Sequence, residues 1–143
     1  MIVQRQTKQK QLILEALPKL NHPTATEVYE YIHRGSPTIS RATVFRVLKQ
    51  AEENGTIARL SFAGGEDRFD YNPVPHYHVR CVRCGAVDDV RMKYLAGLEE
   101  KVEYACGYTL LSHDVEFKGI CPACARLAEA DAVERVEEDT VRC

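Results

Sequence analysis

The chain has 143 residues, 28% of them charged, and a formal net charge of −2. That length builds one compact domain or two small ones. No apolar run approaches the ~20 residues a membrane helix needs. The opening Met1-Ile2-Val3-Gln4-Arg5 lacks the apolar core of a signal peptide, so a cytoplasmic protein with no membrane partner is expected. In such a reducing compartment the six cysteines argue for metal rather than disulfides. Residues 1–70 hold ten Lys/Arg and eight Asp/Glu, a net +2, whereas residues 71–143 hold nine and thirteen, a net −4. The first half is the better suited to an anionic polymer.

Gln6 to Leu17 is expected to be a helix, with Leu12, Ile13, Ala16 and Leu17 as its apolar stripe and Pro18 as its stop. Arg5, Lys8 and Lys10 precede any acidic residue. They read either as a solvated helix start or as a basic arm laid on a phosphate backbone, with Lys8 the candidate contact. A second helix opens with Thr24 and Glu27, which fit a capping box. It turns Val28, Tyr31 and Ile32 inward and ends at Gly35-Ser36-Pro37. A third helix runs from about Ser40, its cap, to Glu53, with Val44, Val47, Leu48 and Ala51 at helical spacing. Asn54-Gly55 ends it in the left-handed conformation that glycine allows.

Strands at Ile57 to Phe62 and Arg68 to Tyr71 follow, joined by Ala63-Gly64-Gly65-Glu66. Three helices and a two-stranded ribbon make a winged helix-turn-helix, whose third helix enters the DNA major groove. The outward residues of that helix are Arg41, Thr43, Phe45, Arg46 and Lys49. They offer basic, hydroxyl and aromatic groups to phosphates, base edges and thymine methyls. Any amphipathic helix also carries charge outward; it is the surrounding pattern that makes double-stranded DNA the expected partner.

Asn72-Pro73-Val74-Pro75 reads as a stiff, extended hinge. It divides an α+β chain into a winged-helix DNA-binding domain, residues 1–72, and a small α/β dimerisation and zinc-binding domain, residues 73–143. In the second domain His76 and His78 alternate, which puts both imidazoles on one face of a strand. Cys81-Val82-Arg83-Cys84-Gly85 brings two thiols to one turn, and Cys121-Pro122-Ala123-Cys124 supplies a second pair. Two such pairs make a closed four-thiolate zinc site; the plainer readings are free thiols or redox pairs.

Strands are expected at His76 to Cys81 and Ala86 to Val90, flanking the zinc turn. A helix is expected at Lys93 to Cys106, with Leu95, Leu98, Val102 and Ala105 inward and Gly107 as its cap. A strand at Tyr108 to Lys118 and a helix from Cys121 to about Val136 complete the domain, and the acidic tail Glu134 to Asp139 is expected to fray. Cys106 reads as a small core residue and Cys143 as a solvated thiol. His113 shares a strand face with Val115 and Phe117 and reads as a satisfied core histidine. These strands need more partners than one chain supplies, so pairing with a second copy into one sheet, a homodimer, is expected.

The stretches Ile39-Ser40-Arg41-Ala42-Thr43-Val44-Phe45-Arg46-Val47-Leu48, His76-Tyr77-His78-Val79-Arg80-Cys81-Val82-Arg83-Cys84-Gly85 and Cys121-Pro122-Ala123-Cys124 together resemble the ferric uptake regulator family of metal-dependent repressors. The resemblance covers almost the whole chain. It implies a winged-helix domain followed by an α/β dimerisation domain. It lies nearest the peroxide-sensing branch, in which three histidines and two aspartates hold a regulatory metal. The matching positions are His22, Asp70, His76, His78 and Asp89. The iron-sensing branch typically has glutamate where Asp70 and Asp89 stand, and the zinc-sensing branch often has cysteine at the Asp70 position. Asp88 is a competing ligand, but alternation points it the other way. Phe45 stands where a tyrosine is common in the family; it keeps the ring and loses the hydroxyl. Tyr77 and the tail lack the histidines and acids of the family's additional metal site, so none is expected.

What the resemblance implies is a DNA-binding repressor with structural zinc and a regulatory Fe(II) or Mn(II). The regulatory ion draws ligands from both domains, fixes their angle and so gates DNA affinity. It also implies that peroxide is the signal, acting through iron-catalysed oxidation of His22 or His76. An iron- or other metal-responsive repressor without peroxide sensing is the alternative. An enzyme with a catalytic metal is a weaker reading, because nothing in the chain supplies a substrate pocket or a spare general base. A zinc-binding interaction module that does not touch DNA is opposed by the third helix.

Overall fold

The computed structural model describes residues 2–62, 64–102 and 105–135 of the chain. They fall into two units, Met1–Pro75 and His76–Cys143. No helix among the described residues is long and apolar enough to cross a membrane.

In the N-terminal unit helix α1 spans Ile2–Ala16, starting earlier than its apolar residues suggest, and runs into a 3-10 turn at Leu17–Lys19. Pro18 sits at the start of that turn, where its missing N–H leaves no bond unmade. Ile13, Ala16 and Leu17 are buried, but Leu12 is 42% exposed. The buried set repeats at i, i+3 and i+4, and Leu12 lies a quarter-turn off that line. The same rule corrects the second helix, α2 (Ala25–Gly35): Val28 and Ile32 are buried, Tyr31 is exposed, and Tyr29 packs partly buried against the core instead.

Thr24 and Glu27 form the capping box. The Glu27 N–H donates to Thr24 Oγ1 at 3.1 Å, and the Thr24 N–H donates to Glu27 Oε2 at 2.9 Å. Helix α3 spans Arg41–Glu53, capped by Ser40, whose Oγ accepts the Thr43 N–H at 3.1 Å. Its residues Val44, Val47, Leu48 and Ala51 are all buried, and Gly55 leaves the helix with φ 77°. Strands β1 (Ala58–Leu60) and β2 (Arg68–Asp70) pair antiparallel, Ala58 opposite Asp70 and Leu60 opposite Arg68. Both are shorter than expected. The free edge of β2 is stitched to the segment before α2: Thr24 bridges Arg68, and the Phe69 N–H donates to the Pro23 carbonyl at 2.9 Å.

In the C-terminal unit β3 (His78–Cys81), β4 (Val87–Asp89) and β5 (Glu116–Gly119) form a sheet in the order β4-β3-β5. β3 runs antiparallel to β4 and parallel to β5. Helix α4 (Pro122–Arg135) follows; the expected end at Val136, the rest of the tail and Cys143 lie outside the described residues.

Three expectations fail here. Lys93 to Cys106 is not a helix; among its described residues only Leu98–Lys101 makes a 3-10 turn, and Leu95 and Val102 are exposed. Gly97 takes φ 78°, which breaks a right-handed helix. The Leu95 N–H donates to the Tyr77 hydroxyl and the Glu99 carboxylate accepts from His113, which ties the segment to the rest of the unit. Tyr108 to Lys118 is a strand only from Glu116, where β3 supplies a partner. Cys106 is an exposed turn residue with φ 50°, not a core residue.

Thr24→Ala removes one arm of the capping box and should lower the unfolding free energy by about 1 kcal/mol. Urea unfolding should show it as a lower midpoint at unchanged slope; an unchanged midpoint would contradict the role given to the box.

Candidate metal centres

The four cysteines of the two pairs converge in the C-terminal unit. Parallel pairing sets Cys81 opposite Gly119, two residues before Cys121. The turn after Cys81 closes through the Gly85 N–H, which donates to the Cys81 carbonyl at 3.0 Å, with Gly85 at φ 78°. Cys124 lies in the first turn of α4, where the Ala125 N–H donates to the Cys121 carbonyl at 2.9 Å. All four sulfurs lie within 4.8 Å of one another, and Cys84 Sγ is 3.6 Å from Cys121 Sγ. A tetrahedral zinc with Zn–S bonds of about 2.3 Å sets its sulfurs about 3.8 Å apart, so the donor set fits zinc in number, chemistry and spacing.

The thiols are already polarised. The Cys121 N–H donates to Cys81 Sγ at 3.3 Å, and with help from the Cys84 backbone it draws the Cys81 thiol down to about 5. Hydrogen bonding with the Cys121 sulfur and then burial push Cys124 up to about 12. A divalent cation at the centre would favour the thiolate form of its sulfur ligands.

The histidines and aspartates gather in two sets, one in each unit. In the N-terminal unit His22 Nε2 is 3.4 Å from Asp70 Oδ2, both residues being buried. They are 48 positions apart in sequence; the Thr24–Arg68 bridge and the Arg68 guanidinium, which donates to the His22 carbonyl at 2.9 Å, bring them together. His22 takes φ 46°, a left-handed backbone that costs a non-glycine residue on the order of 1 kcal/mol or more and that clusters at functional sites. Its Nδ1 lies 2.7 Å from Asn21 Oδ1, which suits an Nδ1–H donor and turns the Nε2 lone pair toward Asp70. Two acceptors facing each other are satisfied by a proton or a cation.

In the C-terminal unit His76 Nε2 and His78 Nε2 lie 2.9 and 3.3 Å from the same atom, Asp89 Oδ1. The antiparallel register sets His78 opposite Asp89 and leaves Asp88 opposite Val79, on the other side of the pleat. Neither set contains sulfur. Nitrogen and oxygen donors suit iron(II), manganese(II), zinc or nickel.

On α3, Arg46 and Lys49 are exposed and the Phe45 ring is 41% exposed. Arg41 is exposed but tethered: its guanidinium donates to Thr26 Oγ1 at 2.9 Å and lies 5.9 Å from the Tyr29 ring and 5.3 Å from the Phe45 ring. Thr43 is half-buried, and its hydroxyl is 2.9 Å from the capping Ser40 Oγ. Lys8 is exposed and lines a shallow groove with Arg5, Leu12, Thr38 and Ile39. His113 is hydrogen-bonded to Tyr77 and Glu99, a satisfied histidine; Glu99 carries no sequence signal that would have named it as the partner.

A three-helix winged unit, a sheet unit with a zinc-type sulfur centre, and sulfur-free histidine–aspartate sets define a metal-responsive regulator. The chain belongs to the ferric uptake regulator family, whose model matches residues 3–118. It is 32% identical over 121 residues to the peroxide-responsive repressor PerR of Staphylococcus aureus strain USA300, covering 84% of this chain and 82% of that one. The peroxide stress regulator of Campylobacter jejuni superposes with a TM-score of 0.69 at 28% identity, covering 84% of this chain and 91% of that one. The ferric uptake regulator of Francisella tularensis, solved with iron, superposes with a TM-score of 0.64 at 25% identity, covering 81% and 90%. These relatives are regulators, not enzymes.

Cys81→Ser and Cys121→Ser should each lose the zinc and, with it, the fold of the C-terminal unit, because metal binding energy is folding energy in such sites. Metal analysis with circular dichroism checks this; a well-folded protein lacking zinc would contradict it.

Proposed function

We propose that the protein is a homodimeric, zinc-stabilised repressor that binds double-stranded DNA when a second metal, Fe(II) or Mn(II), is bound, and that it releases DNA in response to peroxide. Cys81, Cys84, Cys121 and Cys124 hold the structural zinc. His22, Asp70, His76, His78 and Asp89 are the ligands of the regulatory ion. The observation that carries this reading is the convergence of His76 and His78 on one oxygen of Asp89, a preformed sulfur-free donor set, in a chain similar to a peroxide-responsive repressor.

Dimerisation is supported by the C-terminal unit. Tyr108 is 77%, Leu111 89% and Leu127 67% exposed, more apolar surface than a small unit usually leaves in water. Residues 108–115, expected as part of a strand, form none among the described residues, and β4 and β5 each end the sheet with an edge that no described strand covers. A second copy would satisfy both. The two α3 helices then read half-sites about one DNA turn apart. Arg46 and Lys49 contact phosphates or base edges, Phe45 meets thymine methyls, and Arg41 and Thr43 assist from the helix start. Lys8 lies on the backbone.

Ferrous iron held by His22, Asp70, His76, His78 and Asp89 would activate hydrogen peroxide. One peroxide oxygen would enter a ring C–H bond of His22 or His76 and the other would leave as water. An oxidised imidazole donates poorly, so the regulatory ion is lost and the protein leaves DNA. Manganese at the same ligands is a poor partner for this chemistry.

His22→Ala and Asp89→Ala should keep zinc and dimer and abolish metal-dependent binding to a DNA duplex selected with the wild-type protein. Arg46→Ala should keep both metals and weaken DNA binding by about 1–3 kcal/mol. Peptide mass spectrometry after mild peroxide treatment tests the signal. Oxygen on the His22 or His76 peptides, in the iron form only and with zinc retained, is expected. Oxidation confined to the four cysteines, or no reaction in the iron form, would leave a metal-responsive repressor that does not sense peroxide.

A further inference from the structure

One part-buried polar chain in the C-terminal unit serves neither set of donors directly. The Leu95 N–H donates to the Tyr77 hydroxyl at 3.1 Å, the Tyr77 oxygen lies 2.7 Å from His113 Nε2, and His113 Nδ1 lies 2.7 Å from Glu99 Oε1. Its polarity follows from chemistry. A carboxylate only accepts, so His113 Nδ1–H donates to Glu99; Nε2 is then the lone-pair nitrogen, and the Tyr77 O–H donates to it. Tyr77 is 2% exposed. Its ring packs on Tyr94 and, edge-on, on Phe117, while Tyr94 stacks on His113 with centroids 4.8 Å apart and planes 9° apart. The chain therefore pins Tyr77 to two loops at once, residues 94–99 and the segment around His113.

The place of that pin matters. Tyr77 stands between His76 and His78, and alternation sends its side chain to the opposite face. The sheet ladder begins only at His78, so His76 and Tyr77 lie ahead of it. Backbone support there comes from the Val90 N–H, which donates to the Tyr77 carbonyl at 2.9 Å one residue beyond Asp89. The Tyr77 side chain, bonded to His113 and Leu95, also fixes this stretch. The rings of His76 and His78, 4.4 Å apart at their centroids, owe their convergence on Asp89 to a backbone anchored from behind.

We propose that Tyr77 is a positioning residue for the regulatory donors: through His113 and Glu99 it holds the start of β3 so that His76 and His78 converge on Asp89 before any ion arrives. Donors held in place need not be ordered by the ion, and support from behind the ligands sets affinity as well as the ligands do. This rests on the reading of His76, His78 and Asp89 as ligands.

The test is Tyr77→Phe in the full, zinc-loaded chain, which removes one oxygen and keeps the ring. Three things are measured: zinc content with oligomeric mass, Mn(II) affinity by the spin-resonance signal of free manganese, and amide hydrogen exchange of residues 76–80 without manganese. Zinc and mass should be unchanged, exchange should quicken, and manganese affinity should fall roughly tenfold. His113→Ala should do the same, and the double variant should be no worse than His113→Ala alone, as for residues acting in one chain. Wild-type affinity and exchange in Tyr77→Phe, or a lower urea midpoint with manganese affinity unchanged, would overturn the proposal. Should Tyr77→Phe lose zinc, Glu99→Gln carries the same measurements; zinc loss there too would overturn it, making the chain a fold element only. The ligand reading fails separately, if the wild type binds manganese no better than Asp89→Ala does.

Discussion

β3 is hydrogen-bonded on both edges, and its register sets two groups of donors at once. Parallel pairing with β5 puts Cys81 opposite Gly119, within reach of Cys121. Antiparallel pairing with β4 puts His78 opposite Asp89. A slip of one residue would turn His78 and Cys81 to the wrong faces and empty both groups together. Arg80 helps hold the register, its Nε 2.6 Å from Glu116 Oε1 on β5. So does Tyr77, whose carbonyl and hydroxyl are both engaged.

The two groups differ in kind, and the difference follows from the donors. In the sulfur group, hydrogen bonds from the backbone draw Cys81 down and hydrogen bonding with burial pushes Cys124 up, so the four thiols are not equivalent without a cation. They gain most from a cation that never leaves, and zinc there closes a small unit that has few buried apolar residues of its own. Histidine and aspartate donors suit a broader range of divalent cations than four thiolates do. A protein that must be stable always and active only sometimes is served by keeping the two chemistries on different residues.

Sequence reading succeeded where a local rule has one outcome. The Thr24–Glu27 capping box, the Ser40 cap, the inward face of α3 and the convergence of the cysteine pairs all follow from spacing within a few residues or from thiol chemistry. It failed where a pattern has more than one outcome. Lys93 to Cys106 has helical composition, yet Gly97 inside it takes a left-handed φ of 78°, which ends a right-handed helix. The alternation of Val115 and Phe117 with Asp114, Glu116 and Lys118 marks only the end of the expected strand, and only Glu116–Gly119 pairs with β3. Leu12 and Tyr31 are apolar residues one position off their helix's buried line. For the donor sets, His76 and His78 are legible from their alternation alone. His22 and Asp70 are not, because what joins them is the Thr24–Arg68 bridge and a strained backbone at His22, neither of which leaves a mark in composition.

The central claim is that sulfur and nitrogen–oxygen donors are segregated into a permanent and an exchangeable centre. X-ray absorption at both metal edges, on protein loaded with one zinc and one manganese per chain, tests it most directly. The account predicts a zinc shell of four sulfurs and a manganese shell of nitrogen and oxygen only. Sulfur around manganese, or nitrogen around zinc, would contradict it.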